Sequence, residues 1–311
     1  MKVSYREKYW RLKATLTSEL VENYRRAGRI AAEAREYALR MVGEGITLLS
    51  VAEAAEDLIR KRGARPAFPV NISINNFAAH YTPATNDAAA FKRGDVVKID
   101  VGVHIAGYIG DTAKTVEVGT SLQRGMVAAA EAALNAAIEA LRPGVKVGLL
   151  GGIIERNITS RGFKPIANLT GHGVDCYKLH SGVSVPNVAE GGGAALQAGM
   201  AVAIEPFATD GAGKVENAKV PGSIYRLVRA RRGAGAAENA LLEHIQAEYS
   251  TLPFAERWCS TFDKNAPQLL RKLLRMGIIA QYPVLRDAGG GIVTQAEHTV
   301  LITEGGVEVL T

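Results

Sequence analysis

Residues 96–118 read VVKIDVGVHIAGYIGDTAKTVEV. Val96–His104 is rich in Val and Ile, Ile105-Ala106-Gly107 supplies a turn, and Tyr108–Val118 returns, so the stretch predicts an antiparallel hairpin. Each arm carries one aspartate inside an otherwise apolar pattern, Asp100 going out and Asp111 coming back. Counting back from the turn sets the two nearly opposite each other. A carboxylate in an apolar strand is costly unless something neutralises it. Two facing carboxylates repel until a bound cation turns the repulsion into attraction.

Outward from the hairpin, the chain repeats itself. Gly94-Asp95-Val96-Val97-Lys98-Ile99-Asp100 has a counterpart in Gly199-Met200-Ala201-Val202-Ala203-Ile204-Glu205: a turn glycine, an apolar strand, then a carboxylate six residues on. Gly45 and Gly63 are 18 residues apart around a helical pattern, and so are Gly144 and Gly162. A longer helical pattern precedes each, Ser18–Val42 and Ser121–Leu141, the first capped by Thr17 or Ser18. Phe68–Ile74 alternates as a further strand. The expectation is a duplicated unit of two helices and a few strands, facing its copy across a pseudo-twofold axis with a site between them. About 70 residues, from near Lys214 to near Asp287, have no counterpart. They carry helical patterns over Ala236–Tyr249 and Asn265–Met276 and read as an inserted helical subdomain. With 12 Lys+Arg against 7 Asp+Glu, this segment holds +5 of the net +6. The expected division is an N-terminal arm (1–17), a catalytic domain (18–213 and 288–311) and the insert (214–287).

A chain of 311 residues, 47% hydrophobic and 22% charged, excludes a disordered tail, a fibrous repeat and a small disulfide scaffold. No apolar run approaches the roughly 20 residues that cross a bilayer. The N-terminal stretch is basic without an apolar stretch of the signal-peptide kind. Two cysteines in a chain this long read as reduced thiols of an intracellular protein. The sequence pI of about 9.3 permits an anionic partner without requiring one.

The remaining chemistry-bearing residues fall in the second half. His172 lies between glycines in TGHGV, and Glu205 in AVAIEPFA and Glu297 in TQAEHTVLI read as two more carboxylates inside apolar strands. Each alone is ordinary: a loop histidine, a strand terminus. Together with Asp100 and Asp111 they make a hard ligand set of four carboxylates and one imidazole, suited to two divalent ions such as Mn, Co, Fe or Zn. The glycines beside His172 are expected to let a metal or substrate come close. His80, in NNFAAHYTP, and His180, in DCYKLHSGVSVP, fit hydrogen-bonding or proton-relaying groups flanking the metals. His104 and His244 read as structural or solvated, and His298, next to Glu297 on a strand, is expected to point to the opposite face rather than ligate with it.

The ordered set Asp100, Asp111, His172, Glu205 and Glu297, carried by KIDVGVHIAGYIGDTA, NLTGHGVDCYKLHSG, IEPFAT and QAEHTV, resembles the methionine aminopeptidases. The resemblance runs from about Thr17 to the end; the insert makes it similar to the type II enzymes, and the lack of a long charged N-terminal extension makes it similar to their compact archaeal form. It implies an α+β pita-bread fold with a winged-helix-like insert. It also implies that a metal-dependent exopeptidase removes the initiator methionine from nascent proteins whose second residue is small and uncharged. Asp100 would chelate one ion, Asp111 and Glu297 would bridge, and His172 and Glu205 would hold the other. Glu205 would also shuttle the proton of the attacking water. His80 would hydrogen-bond the substrate near the scissile amide, and His180 would stabilise the oxyanion. Phe68, Leu179, Phe207 and Tyr282 would wall an apolar methionine pocket.

The chemistry agrees independently, because a bound metal lowers the pKa of water from about 15.7 toward about 7. The ions could be Co, Mn, Fe, Zn or Ni. The expected partner is the N-terminal methionine of a nascent polypeptide in the cytoplasm, with ribosome contact through the basic insert, a monomeric state, and neither DNA nor membrane. Two other readings share the fold: an Xaa-Pro aminopeptidase or prolidase, and a non-catalytic relative that binds RNA or ribosomes. The first usually carries a whole domain before the catalytic one; the second loses metal ligands.

Overall fold

The computed structural model describes residues 17–229 and 235–311. Most of the expected N-terminal arm therefore lies outside the described residues, as do Arg231 and Arg232. The first half opens with helix α1 (Ser18–Met41), capped by the Thr17 hydroxyl, which accepts from Leu20 N. Its small-residue stripe of Ala27, Ala31, Ala34 and Ala38 is buried. Helix α2 (Leu48–Lys61) follows, then strands β1 (Asn71–Ile74), β2 (Val96–Ile105) and β3 (Tyr108–Glu117). The predicted strand over 68–74 is shorter than expected, because its first residues turn away from the ladder before Asn71. Strand β2 runs antiparallel to β1 on one side and β3 on the other. The turn between β2 and β3 places Ala106 (φ 49°) and Gly107 (φ 90°) both in the left-handed region, as a tight two-residue hairpin requires.

The second half repeats this plan with helices α3 (Arg124–Glu139) and α4 (Val147–Thr159) and strands β4 (Thr170–Asp175), β5 (Lys178–Pro186), β6 (Ala201–Ile204) and β7 (Phe207–Thr209). The duplication extends to individual backbone bonds. Gly45 N donates to Phe91 O and Leu48 N to Ala89 O; in the other half Gly144 N donates to Leu196 O and Val147 N to Ala194 O. Gly94 and Gly199 share the same left-handed turn, at φ 91° and 90°.

Within the second half, after β7, come helices α5 (Ala236–Tyr249), α6 (Glu256–Phe262) and α7 (Ala266–Arg275). They pack with the three-stranded sheet of Phe254–Ala255, Ile224–Leu227 and Ile279–Gln281 around their own core, which includes Leu241, Phe254, Leu270 and Leu273. The ends of this segment, Val215–Asn217 and Leu285–Asp287, pair with each other, and Leu285–Asp287 also pairs with Phe77–Ala79 of the main body.

Strands β8 (Val293–Gln295), β9 (His298–Thr303) and β10 (Gly306–Val309) close the chain. The second-half sheet runs β10-β9-β6-β4-β5. Threonine side chains join the two sheets. Thr299 Oγ1 accepts from Asp111 N and donates to Asp111 O, Thr112 Oγ1 donates to Glu297 O, and Thr115 Oγ1 donates to Gln295 O. The hairpin that carries both aspartates is thus fixed to the strand pair that carries Glu297.

Candidate metal centre

Asp111 stands across the ladder from Gly102, two residues beyond Asp100, so the two aspartates share one face of the hairpin diagonally. Glu205 and Glu297 are not inside strands, contrary to the expectation. The ladder of β6 with β9 ends at Ile204 and His298, and that of β7 with β8 resumes at Phe207 and Gln295. Glu205-Pro206 and Ala296-Glu297 form the break between them, held by Ala296 N donating to Pro206 O. Freed from period-two alternation, both glutamates turn toward the aspartates.

His172 sits on β4 opposite Ala203 of β6. Its flanking glycines do not open space for a ligand. A β-carbon on Gly171 would stand 2.3 Å from Ala203 O, and one on Gly173 would stand 2.0 Å from Ser181 O. The glycines admit the neighbouring strands, and that close packing fixes the histidine between them.

All eleven predicted residues line one cavity of about 230 Å³. Ligand atoms of Asp111, His172 and Glu297 all lie within 4.8 Å of one another. His172 Nε2 is 3.5 Å from Glu205 Oε1 and 3.8 Å from Asp111 Oδ2. His172 Nδ1 lies 3.4 Å from Gly173 O, a weak contact that favours a proton on Nδ1 and leaves the Nε2 lone pair facing the carboxylates. Burial, then the neighbouring His180, lowers the His172 pKa to about 3, so the ring is neutral and fit to ligate. Burial followed by the Asp100 charge pushes Asp111 well above the usual carboxylate range, burial followed by the Asp111 charge does so to Glu297, and burial followed by the Asp100 charge to Glu205. Among the described residues, Asp100 Oδ1 and Asp111 Oδ1 are buried without a hydrogen-bond partner. Orphaned carboxylate oxygens converging with a neutral imidazole fit a divalent cation, because hard oxygen and nitrogen donors are what such ions take.

Around this cluster, the His180 ring lies 4.3 Å from that of His172, at the exposed mouth of the cavity. His80 enters from the loop after Phe77–Ala79. Its Nδ1 is 3.2 Å from Pro283 O, and its ring meets Tyr282 edge-on at 5.2 Å. Burial lowers its pKa to about 4. Phe68 and Phe207 are buried in the wall, and Leu179 and Tyr282 are half-buried. His104 receives Gly107 N in the hairpin turn, His244 stacks on Phe262, and His298 meets Thr311 Oγ1, none of them in the cavity.

Several lining residues escaped sequence reading. Asn71, opposite Asp100 on β1, is buried in the wall with its Oδ1 unpartnered. The signal was an asparagine in an apolar strand three residues after Phe68. Ile224 and Pro253 join Tyr282 in bringing the inserted segment to the rim. Only three-dimensional packing places them there.

The model of metallopeptidase family M24 matches residues 22–304. The methionine aminopeptidase of Methanocaldococcus jannaschii is 46% identical over 294 residues, covering 94% of this chain and 99% of its own length. That of Pyrococcus horikoshii is 48% identical over 289 residues, covering 92% and 97%. Among solved structures, a methionine aminopeptidase from Thermotoga maritima superposes with a TM-score of 0.70 at 24% identity, over 95% of this chain and 97% of that one, a likeness of fold.

Proposed function

Because the chain belongs to metallopeptidase family M24, with the archaeal methionine aminopeptidases, we propose that its cavity removes the initiator methionine from nascent proteins. The observation that carries this reading is the convergence of Asp100, Asp111, His172, Glu205 and Glu297 in one cavity with the apolar wall beside them. Four carboxylates match the charge of two divalent ions, from among Co, Mn, Fe, Zn and Ni. Asp100 would chelate one, His172 and Glu205 the other, with Asp111 and Glu297 between. Bound ions supply the positive charge that makes water acidic at neutral pH and polarises the scissile carbonyl.

The chain's own residues do the rest. Glu205 takes a proton from the attacking water and returns it to the leaving amine, a task suited to a carboxylate whose proton affinity burial has raised. His80 is neutral, and its Nδ1 proton is donated to Pro283 O. Its Nε2 therefore offers a lone pair to the scissile amide N–H. His180, at the mouth, donates to the developing oxyanion. Phe68, Leu179, Phe207 and Tyr282 enclose the flexible, apolar methionine side chain and exclude water. The carboxylates and both histidines crowd the position of the second residue, so a small, uncharged one is accepted. An overlap there costs more than the few kcal/mol a pocket contact returns.

Within the same reading, residues 214–287 form a winged-helix-like subdomain on the catalytic body of 18–213 and 288–311, and the enzyme works as a cytoplasmic monomer. Arg226, Arg229, Arg271 and Arg275 are exposed on the insert, a cationic face suited to ribosomal RNA. Salt-sensitive co-sedimentation with ribosomes, weakened when these arginines are neutralised, tests that contact. No helix among the described residues is long and apolar enough to cross a membrane. The site itself is tested by metal analysis after reconstitution. Two equivalents per chain, lost in Asp111→Asn together with methionine release, support the centre; unchanged metal and activity in that variant refute it.

A further inference from the structure

His80 sits in a backbone conformation that ordinary side chains avoid, at φ 64°, and such a conformation persists only where its surroundings over-determine it. The loop that carries it meets a buried ion pair that is not among the residues lining the cavity. Glu56, on α2, is 1% exposed and Arg257, on α6, is 5% exposed. Arg257 Nη2 donates to Glu56 Oε1, Trp258 Nε1 donates to Glu56 Oε2 at 2.7 Å, and Val70 N donates to Oε1 at 3.1 Å. The other arm of the guanidinium, Nη1, donates to Thr82 Oγ1 at 2.8 Å and to Pro83 O at 3.1 Å. Thr82 Oγ1 in turn donates to Val70 O at 2.7 Å, and Ser223 Oγ donates to Thr82 O at 2.8 Å.

Thr82 is two residues after His80, and Val70 lies between Phe68 and Asn71 of the cavity wall. The guanidinium from the inserted segment thus ties the His80 loop to Glu56 on α2, and Glu56 and Thr82 each hold Val70 of the Phe68–Asn71 segment. We propose that Arg257 and Glu56 are positioning residues: acting through Thr82, their pair holds His80 at the angle at which it meets the substrate. Arginine suits this place because its two terminal nitrogens, fixed apart in one plane, reach acceptors on different elements, a span that the single nitrogen of a lysine lacks. A buried ion pair is weak evidence for stability in itself, and a role in specifying one geometry accounts better for its retention. The inserted segment then completes the site in two ways, through the wall residues it lends and through the loop it holds.

This inference rests on the aminopeptidase reading, and its test separates the two. Thr82→Val removes the side-chain bond to the guanidinium, leaving the bond to Pro83 O and both charges paired, and Arg257→Lys keeps the charge but loses both bonds of the fork. Each should lower kcat for methionine release about tenfold, with bound metal unchanged and KM within about twofold. In a His80→Ala background, Thr82→Val should cause no further loss of kcat, since its hold on turnover passes through His80, and loosening of the bond to Val70 O registers in KM. Wild-type kcat in both variants, or an equal fold loss with and without His80, would overturn the proposal. A crystal structure of Thr82→Val reads the same link without activity. His80 leaving its left-handed φ or its contact with Pro283 O supports the proposal, and an unmoved His80 overturns it. Wild-type protein that releases no methionine would instead contradict the function.

Discussion

Replacing Gly102 by alanine should disturb the cavity wall at Phe68 through a single contact. Gly102 lies on β2 opposite Asp111, and its backbone is not in the left-handed region, so the chain itself tolerates a β-carbon. The obstacle is Phe68. The added carbon would stand 2.1 Å from Phe68 Cε1, 2.4 Å from Cδ1 and 2.7 Å from Cζ. Ordinary carbon contacts lie at about 3.5–4.0 Å, so the ring must retreat by roughly 1.5 Å. Phe68 is buried among Tyr24, Ile109, Val174 and Leu301, which leave little room to retreat. Overpacking of this kind costs about 1–3 kcal/mol. For a chain this size, at about 2–3 °C per kcal/mol, Tm should fall roughly 2–9 °C at fixed metal concentration. The same displacement moves the pocket wall, so KM for methionyl peptides should rise. Phe68→Ala alone should cost about 3–5 kcal/mol. Adding Gly102→Ala to it should then cost almost nothing, because the new carbon enters vacated space. Calorimetry of the four proteins measures the coupling directly. Equal destabilisation by Gly102→Ala with and without the Phe68 ring would refute the reasoning.

His172→Ala should lose metal affinity and activity together, whereas His80→Ala and His180→Ala should keep the metal and lose turnover by about 10²–10⁴-fold, read by metal analysis beside steady-state kinetics. Metal-free protein should lose stability as pH rises. Asp111, Glu205 and Glu297 hold protons in the folded chain well above their ordinary values of 3.8, 4.5 and 4.5. The folded state therefore binds more protons than the unfolded one above those values, and unfolding becomes easier as pH climbs through the raised range. Saturating metal should reverse the slope, since binding displaces those protons; denaturant titrations at several pH values, with metal and with chelator, check both signs. Glu56→Gln should destabilise the protein by about 3–5 kcal/mol, because it strands the buried Arg257 charge, and a loss of unfolding free energy under about 1 kcal/mol in denaturant titration would show the pair to be well solvated.

Much of this was legible where the signal is local. The hairpin of β2 and β3 declares itself through alternation and a turn, so the aspartates could be placed on one sheet, although the two-residue offset awaited the ladder. The paired glycines at 45 and 144, 63 and 162, and 94 and 199 revealed the duplication because each occupies a left-handed turn that favours glycine. Glu205 and Glu297 were identified by residue type but misplaced inside strands, since an apolar run gives no sign of where a ladder breaks. The threonine contacts between β3 and the β8–β9 segment span 180 residues or more, and Arg257 reaches Glu56 across 201. Nothing in a neighbouring stretch of sequence marks such partners. Helix α6, only seven residues long, was missed because a run that short shows too little periodicity.

The most direct measurement is release of free methionine from matched peptides Met-Ala-Ser and Met-Lys-Ser by the protein loaded with Mn, Co or Fe. The account predicts metal-dependent release from the first and little from the second, because the crowded position beyond the scissile bond admits alanine and rejects lysine. No methionine from Met-Ala-Ser with any of the metals, or cleavage of Xaa-Pro peptides in its place, would contradict it.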